Sequence, residues 1–298
     1  MAMKSYKGFD KKLKCRDFQY EIGKEYEMDG EIKVCSRGFH ACESPFDVFD
    51  HYTMIDSRFC EVEQDGNISK EDRGTKICSS KIKIKAELKL ADMINLGVEW
   101  LKEITSPEKI KTSIKDNSSG YGAQIGSSGN NAKIGSSGYG AQIGSSGYGA
   151  QIGSSGNNAK IGSSGNNAKI GSSGYGAQIG SSGNGAQIGS SGYGAQIGSS
   201  GYGAQIGSSG NNAKIGSSGY GAQIDSTGED CVIMCAGINS VAKASKGSWI
   251  TLSEWSYSDK KQRYIPVCVK TEFVDGKKIK ADTYYSLKGG VFVESVNN

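Results

Sequence analysis

Proline is scarce in this chain of 298 residues, 3 in all, and that excludes a collagen-like helix or a proline-rich linker despite 44 glycines. Long apolar runs are missing too. None approaches the ~18 residues that cross a bilayer as a helix, so no membrane span is expected. The opening residues, MAMKSYKGFDKKLK, are charged and lack an apolar segment, so no secretory leader is read there. A strong charge of one sign is also lacking. Lys and Arg number 35 against 31 Asp and Glu, a surplus of +4 that is too small to imply nucleic acid. Acidic residues are absent from 117–224, which holds four lysines and 31 of the glycines. That window is too poor in large apolar residues for an ordinary globular core. The two ends are long enough for small cores of their own.

What the window does contain is a repeat. From Ser118 to Ile224 the chain reads S-S-G-[YN]-[GN]-A-[QK]-I-G, twelve times at a period of nine. A flexible Gly/Ser linker would not keep an Ala and an Ile at fixed positions in every unit. A-[QK]-I alternates apolar, polar, apolar, as a short half-buried strand does. G-S-S-G-[YN]-[GN] is turn chemistry, with Gly and Asn available for positive φ. One strand and one turn, repeated, describe a β-solenoid. The repeat resembles the calcium-binding nonapeptide rolls in period and glycine placement, and the resemblance implies two nonapeptides, about 18 residues, per coil. The turns carry Gly or Asn in place of the aspartates that hold calcium in those rolls, so a roll without calcium is expected. In an 18-residue coil Lys160 and Lys169 fall on opposite faces, and no two repeat lysines become direct neighbours. Tyr121, Tyr139, Tyr175 and Tyr193 then line one edge, and Tyr148, Tyr202 and Tyr220 the other. These seven tyrosines are candidate binding residues for a partner or a sugar; stacking on one another is the reading favoured on general grounds. Twelve near-identical copies offer no unique catalytic constellation. An ice-binding surface would need a flat Thr or Ser array, and the strands offer Gln or Lys.

After Ile224 the pattern decays through a thirteenth unit (225–233) and a looser fourteenth (236–242). A strand at 248–255 with two Trp is expected to close the core. Further strands follow at 264–274, 283–287 and 291–294, with turns at Asp275-Gly276 and Gly289-Gly290. The chain is thus mainly β: an α+β module (1–116), a solenoid (117–224) and a β-rich cap (225–298), since open solenoid ends need covering.

Residues 1–115 hold five of the eight cysteines and both histidines. Strands are expected at 31–35, 38–42, 58–63 and 81–90. A helix starts at Ser44-Pro45, where Ser caps and Pro takes the first turn. Another helix spans 91–104, and a short turn of helix begins at Ser106-Pro107-Glu108. The densest segment is Cys35-Ser-Arg-Gly-Phe-His40-Ala-Cys42. Three readings compete there: zinc held by Cys35, His40 and Cys42 with Cys15 or Cys60; a nucleophilic cysteine beside His40; and packing of small cysteines around a hydrogen-bonded His40, which composition favours. No metal or cofactor is assigned, and His40 is kept as a candidate ligand contact. Without a leader the cysteines are read as reduced.

The run Tyr6-Lys-Gly-Phe9, Cys15-Arg16, Gly38-Phe-His-Ala-Cys42, Ser44-Pro45, Asp47-Val48 resembles an uncharacterised domain family of phage and prophage proteins, in which Gly-rich repeats and a β-rich end follow. The resemblance implies a phage or prophage setting in a bacterial cytoplasm, or a virion, and carries over no activity. The architecture itself leads to the expectation of a non-enzymatic binding protein that uses the solenoid as scaffold and display surface for a bacterial host protein, such as a defence component. Gly38-Phe-His40 before a capped helix is also similar to a segment of ADP-ribosyltransferase-like domains, which implies a nucleotide ligand or a nucleotide-acting enzyme as the alternative. A virion fibre is a third possibility.

Overall fold

The computed structural model describes residues 2–54, 56–71, 75–104 and 120–295; the helical turn expected at Ser106-Pro107-Glu108 lies outside them. The chain divides into two compact units, Met1–Trp100 and Leu101–Asn298.

The first unit carries β1 (Met3–Phe9), β2 (Lys14–Cys15), β3 (Phe18–Gln19), β4 (Glu25–Glu27), β5 (Phe39–Cys42), a 3-10 turn at Phe46–Asp50, β6 (Arg58–Lys70), β7 (Lys76–Leu88) and the helix α1 (Leu90–Ile104). β1 pairs with β5 and β6, and β7 pairs with β5 and β6 as well, so these four antiparallel strands close into a ring. The Lys/Ile alternation of β7 explains its place. Ile82 and Ile84 are fully buried with Phe9, Val62 and Cys60, while Lys81 and Lys85 point out to Glu27 and Glu63. Ser44 accepts a bond from the Asp47 N–H at 3.3 Å, as its place before Pro45 implies, although the helix it starts is one short 3-10 turn. Glu31–Cys35 is not a strand. It is a turn with one bridge between Lys33 and Arg37, and Cys35 sits at φ 64°. β1 had no clear signal in the sequence, because Gly8 and Lys7 interrupt its apolar pattern.

The second unit is the roll. The repeat yields twelve four-residue strands, from β8 (Gln124–Ser127) to β19 (Gln223–Ser226), and alternate strands join alternate sheets. Ile143 pairs with Ile161 in one sheet and Ile152 with Ile170 in the other, each pair parallel and one coil of 18 residues apart. Lys160 and Lys169 therefore lie in different sheets, and each stacks on glutamines. From Ile134 onward the Ile of each coil is buried in one continuous core with the alanines, and Ile125 of the first strand packs against it partly buried.

The interior differs from an Ile/Ala ladder in one respect. The first Ser after each Ile-Gly points inward too. Ser136, Ser154 and Ser217 accept a bond from the glycine N–H two residues on, at 3.3 to 3.4 Å, which tightens the turn. The equivalent hydroxyls of Ser145, Ser163, Ser181 and Ser199 are buried with no hydrogen-bond partner. A buried unpaired hydroxyl costs free energy, so Ser163→Ala should leave stability unchanged or raise it by up to about 1 kcal/mol. Urea unfolding of the variant checks this, and a loss would mean that the hydroxyl is bonded.

Glycine placement follows from stacking. The fifth residue of each unit has φ between 56° and 67°, and it is Gly or Asn throughout. The third residue needs Gly for another reason: a Cβ on Gly183 would lie 2.0 Å from the Gly165 carbonyl oxygen of the coil before it.

The expected thirteenth and fourteenth units are present as β20 (Val232–Cys235) and β21 (Val241–Ala244), stacked in register on the repeat. β22 (Trp249–Ser258) continues the first sheet in parallel, and β23 (Arg263–Phe273) folds back on it as a hairpin. β24 (Tyr285–Lys288) and β25 (Val291–Glu294) form the second hairpin and continue the other sheet. The tryptophans do not plug the core. Ile250 and Leu252 do that, while Trp249 faces outward, half exposed, against Phe273.

Candidate functional site

Within the first unit, β1, β2, β5, the 3-10 turn and β7 converge on a cavity of about 340 Å³. β1 contributes Tyr6 and Lys7, and the residues after Leu13 contribute Cys15 and Arg16. β5 contributes His40 and Cys42. The end of the 3-10 turn brings His51 and Tyr52, and β7 brings Lys76. Gly8 makes this arrangement possible: a Cβ there would lie 2.4 Å from the Tyr52 ring, which instead lies against the strand. Tyr52 then donates its hydroxyl to Cys15 Sγ at 3.0 Å.

His40 Nε2 accepts the backbone N–H of Cys35 at 3.0 Å, so that nitrogen carries the lone pair and the ring is neutral. Burial lowers the His40 pKa from its ordinary 6.5, and Lys7 and Lys76 push it the same way. The sign of the stability effect follows. As pH falls below 6.5 the unfolded chain takes up a proton that the folded chain resists, so folding weakens in acid. His40→Gln, which keeps an acceptor for Cys35, should reduce the stability lost between neutral pH and acid by about 1 kcal/mol or less. Urea titrations of both proteins at two pH values test this; parallel losses would contradict it.

Lys7 is the residue that sequence reasoning missed. Its side chain is only 5% exposed. Nζ donates to the His40 carbonyl at 2.9 Å, sits 3.6 Å from Cys15 Sγ, and lies near the ring faces of Phe9 and Tyr20. Burial lowers its pKa. A lysine in a short strand normally reads as a solvated charge, and only the ring closure turns it inward.

The cysteines distribute against two of the earlier readings. Burial pushes the Cys42 and Cys60 thiols up to about 12, and Cys78 up to about 11, so they are protonated at neutral pH. Cys35 is exposed at the mouth, and His40 is engaged by its backbone rather than its sulfur. Among the described residues no three His, Cys, Asp or Glu side chains come together as a metal cluster.

The seven tyrosines occupy the two edges of the roll. Tyr121 stacks on Tyr139, Tyr175 on Tyr193 and Tyr202 on Tyr220, with centroids 5.1 to 5.5 Å apart and planes within 7°. The rings remain 40% to 86% exposed. Where a unit carries Asn-Asn in place of Tyr-Gly, the first asparagine bridges to the next coil, and at Asn158 and Asn167 the second bridges to the coil before. Asn157 accepts the Tyr175 N–H at 3.0 Å, and Asn158 donates to the Tyr139 hydroxyl at 2.8 Å. The Tyr/Asn variation of the repeat therefore exchanges one coil-to-coil contact for another.

Residues 3–96 match a domain of unknown function (DUF7666). The ring of strands, the cavity and His40 all belong to that domain, whereas the tyrosine rows lie beyond it. No curated protein and no solved structure matches the chain. Among the described residues no helix is long and apolar enough to cross a membrane.

Proposed function

We propose that the chain is a non-enzymatic binding protein in which the roll is a rigid scaffold that displays two rows of tyrosines. One observation carries this reading: flat aromatic rings stand exposed at fixed positions along a backbone locked by coil-to-coil hydrogen bonds. Tyrosine rings on a rigid frame supply contact area at little entropic cost. A phage or mobile-element source, a bacterial host protein as partner and action in the host cytoplasm belong to the same proposal. The nucleotide-acting enzyme is the weaker reading. The His40 lone pair is already engaged, and the cavity lining contains no carboxylate to act as base.

The test compares full-length protein with a variant in which the seven tyrosines are Ser, both immobilised and exposed to bacterial lysate. The reading expects a protein retained by the first and lost by the second. The same retained set on both would reject the tyrosine rows as the binding surface.

A further inference from the structure

We propose that the cavity of the DUF7666 domain is a binding site for a small phosphate monoester, gripped by Lys7, Arg16 and Lys76. The proposal is independent of the display role of the roll. It starts from charge. The lining brings three basic side chains and two histidines to one cavity, and it includes no Asp or Glu. Proteins ordinarily pair a buried charge or leave it out. Lys7 is buried, and its Nζ meets the His40 carbonyl, the Cys15 sulfur and two ring faces, with no carboxylate among them. Arg16 and Lys76 make no ion pair among the described residues, and both, like Lys7, push the His40 pKa down. Other lysines of the same domain do find partners, such as Lys70 on Glu43 and Lys85 on Glu63. Lys12, Lys14, Lys83 and Lys89 make no ion pair among the described residues either; what sets Lys7, Arg16 and Lys76 apart is that they share one cavity whose lining has no carboxylate.

The chemistry of the missing partner follows. A carboxylate brings one charge and would leave most of this field unanswered. A phosphate monoester brings about −1.5 to −2 at neutral pH and three acceptor oxygens. It matches a point charge at Lys7 and a planar fork at Arg16. Size says that the anion carries an organic group. The space of about 340 Å³ falls in the range of small-molecule sites rather than of single ions. Tyr6, Tyr20 and Tyr52 supply ring surface around it, suited to a planar group such as a nucleobase.

Isothermal titration of the full chain at low salt tests the proposal, with adenosine monophosphate, inorganic phosphate and acetate as probes. Adenosine monophosphate is expected to bind, and Arg16→Gln and Lys76→Met are each expected to weaken it at least about tenfold. Arg16 is exposed and Lys76 partly so, and unaltered thermal midpoints without ligand would show that both variants fold. Tighter binding of the nucleotide than of phosphate supports an organic ester as the occupant. Equal binding of the two supports the phosphate site and rejects the organic part. Failure of both probes, acetate binding as tightly as phosphate, or affinity unchanged in both variants would overturn the proposal.

Discussion

Gly183→Ala is expected to destabilise the roll by at least about 3 kcal/mol, whereas Gly180→Ala, three residues earlier, should change it little or stabilise it by up to about 1 kcal/mol. The third position is glycine in all twelve units and the ninth in eleven, with Asp225 in the twelfth, so sequence alone barely separates them. The structure separates them. A Cβ at Gly180 meets nothing within 4 Å, because this glycine points out from the open face of its sheet. A Cβ at Gly183 meets the Gly165 carbonyl oxygen at 2.0 Å and its carbon at 2.5 Å. The obstacle is backbone of the neighbouring coil, which cannot rotate away as a side chain would. Relief requires prising two coils apart and losing the bonds between them, such as Gln178 N–H to the Ala159 carbonyl at 2.8 Å and Ser182 N–H to Ser163 at 3.0 Å. Hydrogen exchange of the coil from Gln178 to Gln196, alongside urea unfolding, reads the difference locally as well as globally. Equal effects of the two substitutions would mean that the coils are not stacked at this spacing.

Removing the chain from Trp249 onward is expected to turn a well-behaved protein into one that polymerises end to end. The two terminal hairpins, β22 with β23 and β24 with β25, close sheets whose preceding rungs are parallel and in regular register. They also bury Val274, Ile279, Tyr285 and Leu287 against the end of the Ile/Ala core. Without them β20 and β21 expose a row of unpaired N–H and C=O groups beside an open apolar end, and a second chain supplies the matching edge. Size-exclusion chromatography with light scattering and a thioflavin assay would detect the polymer. A truncated chain that stays monomeric with its stability intact would show that the hairpins are decoration.

How much of this was legible beforehand depends on where side chains repeat. Ile and Ala at fixed positions revealed the core of the roll, and the 18-residue coil placed Lys160, Lys169 and the tyrosine rows on the faces and edges where they lie. The inward serines were not legible, since a serine beside another serine and a glycine reads as turn. Pairing beyond the repeat was also hidden. The strand at Arg263–Phe273 precedes an Asp-Gly turn, which favours a hairpin with the next strand, but it pairs backward with Trp249–Ser258. His40 stood out through its cysteine neighbours. The cations around it did not, because Lys76 is sixty residues and more from Lys7 and Arg16 in sequence, and the three line one cavity only once β1, β5 and β7 pair.

The central claim is that two nonapeptides make one coil, and paired cysteines test it most directly. Gln178 and Gln196 are exposed neighbours on adjacent strands of one sheet, 18 residues apart. Gln187, nine residues from each, belongs to the other sheet. Adjacent parallel strands lie about 4.8 Å apart, within the Cα separation a disulfide spans, and stacked sheets lie about 10 Å apart, beyond it. Under mild oxidation the Gln178→Cys, Gln196→Cys protein should form the new bridge, read by peptide mapping, and the Gln178→Cys, Gln187→Cys protein should not. A bridge in the second protein and none in the first would contradict the two-nonapeptide coil.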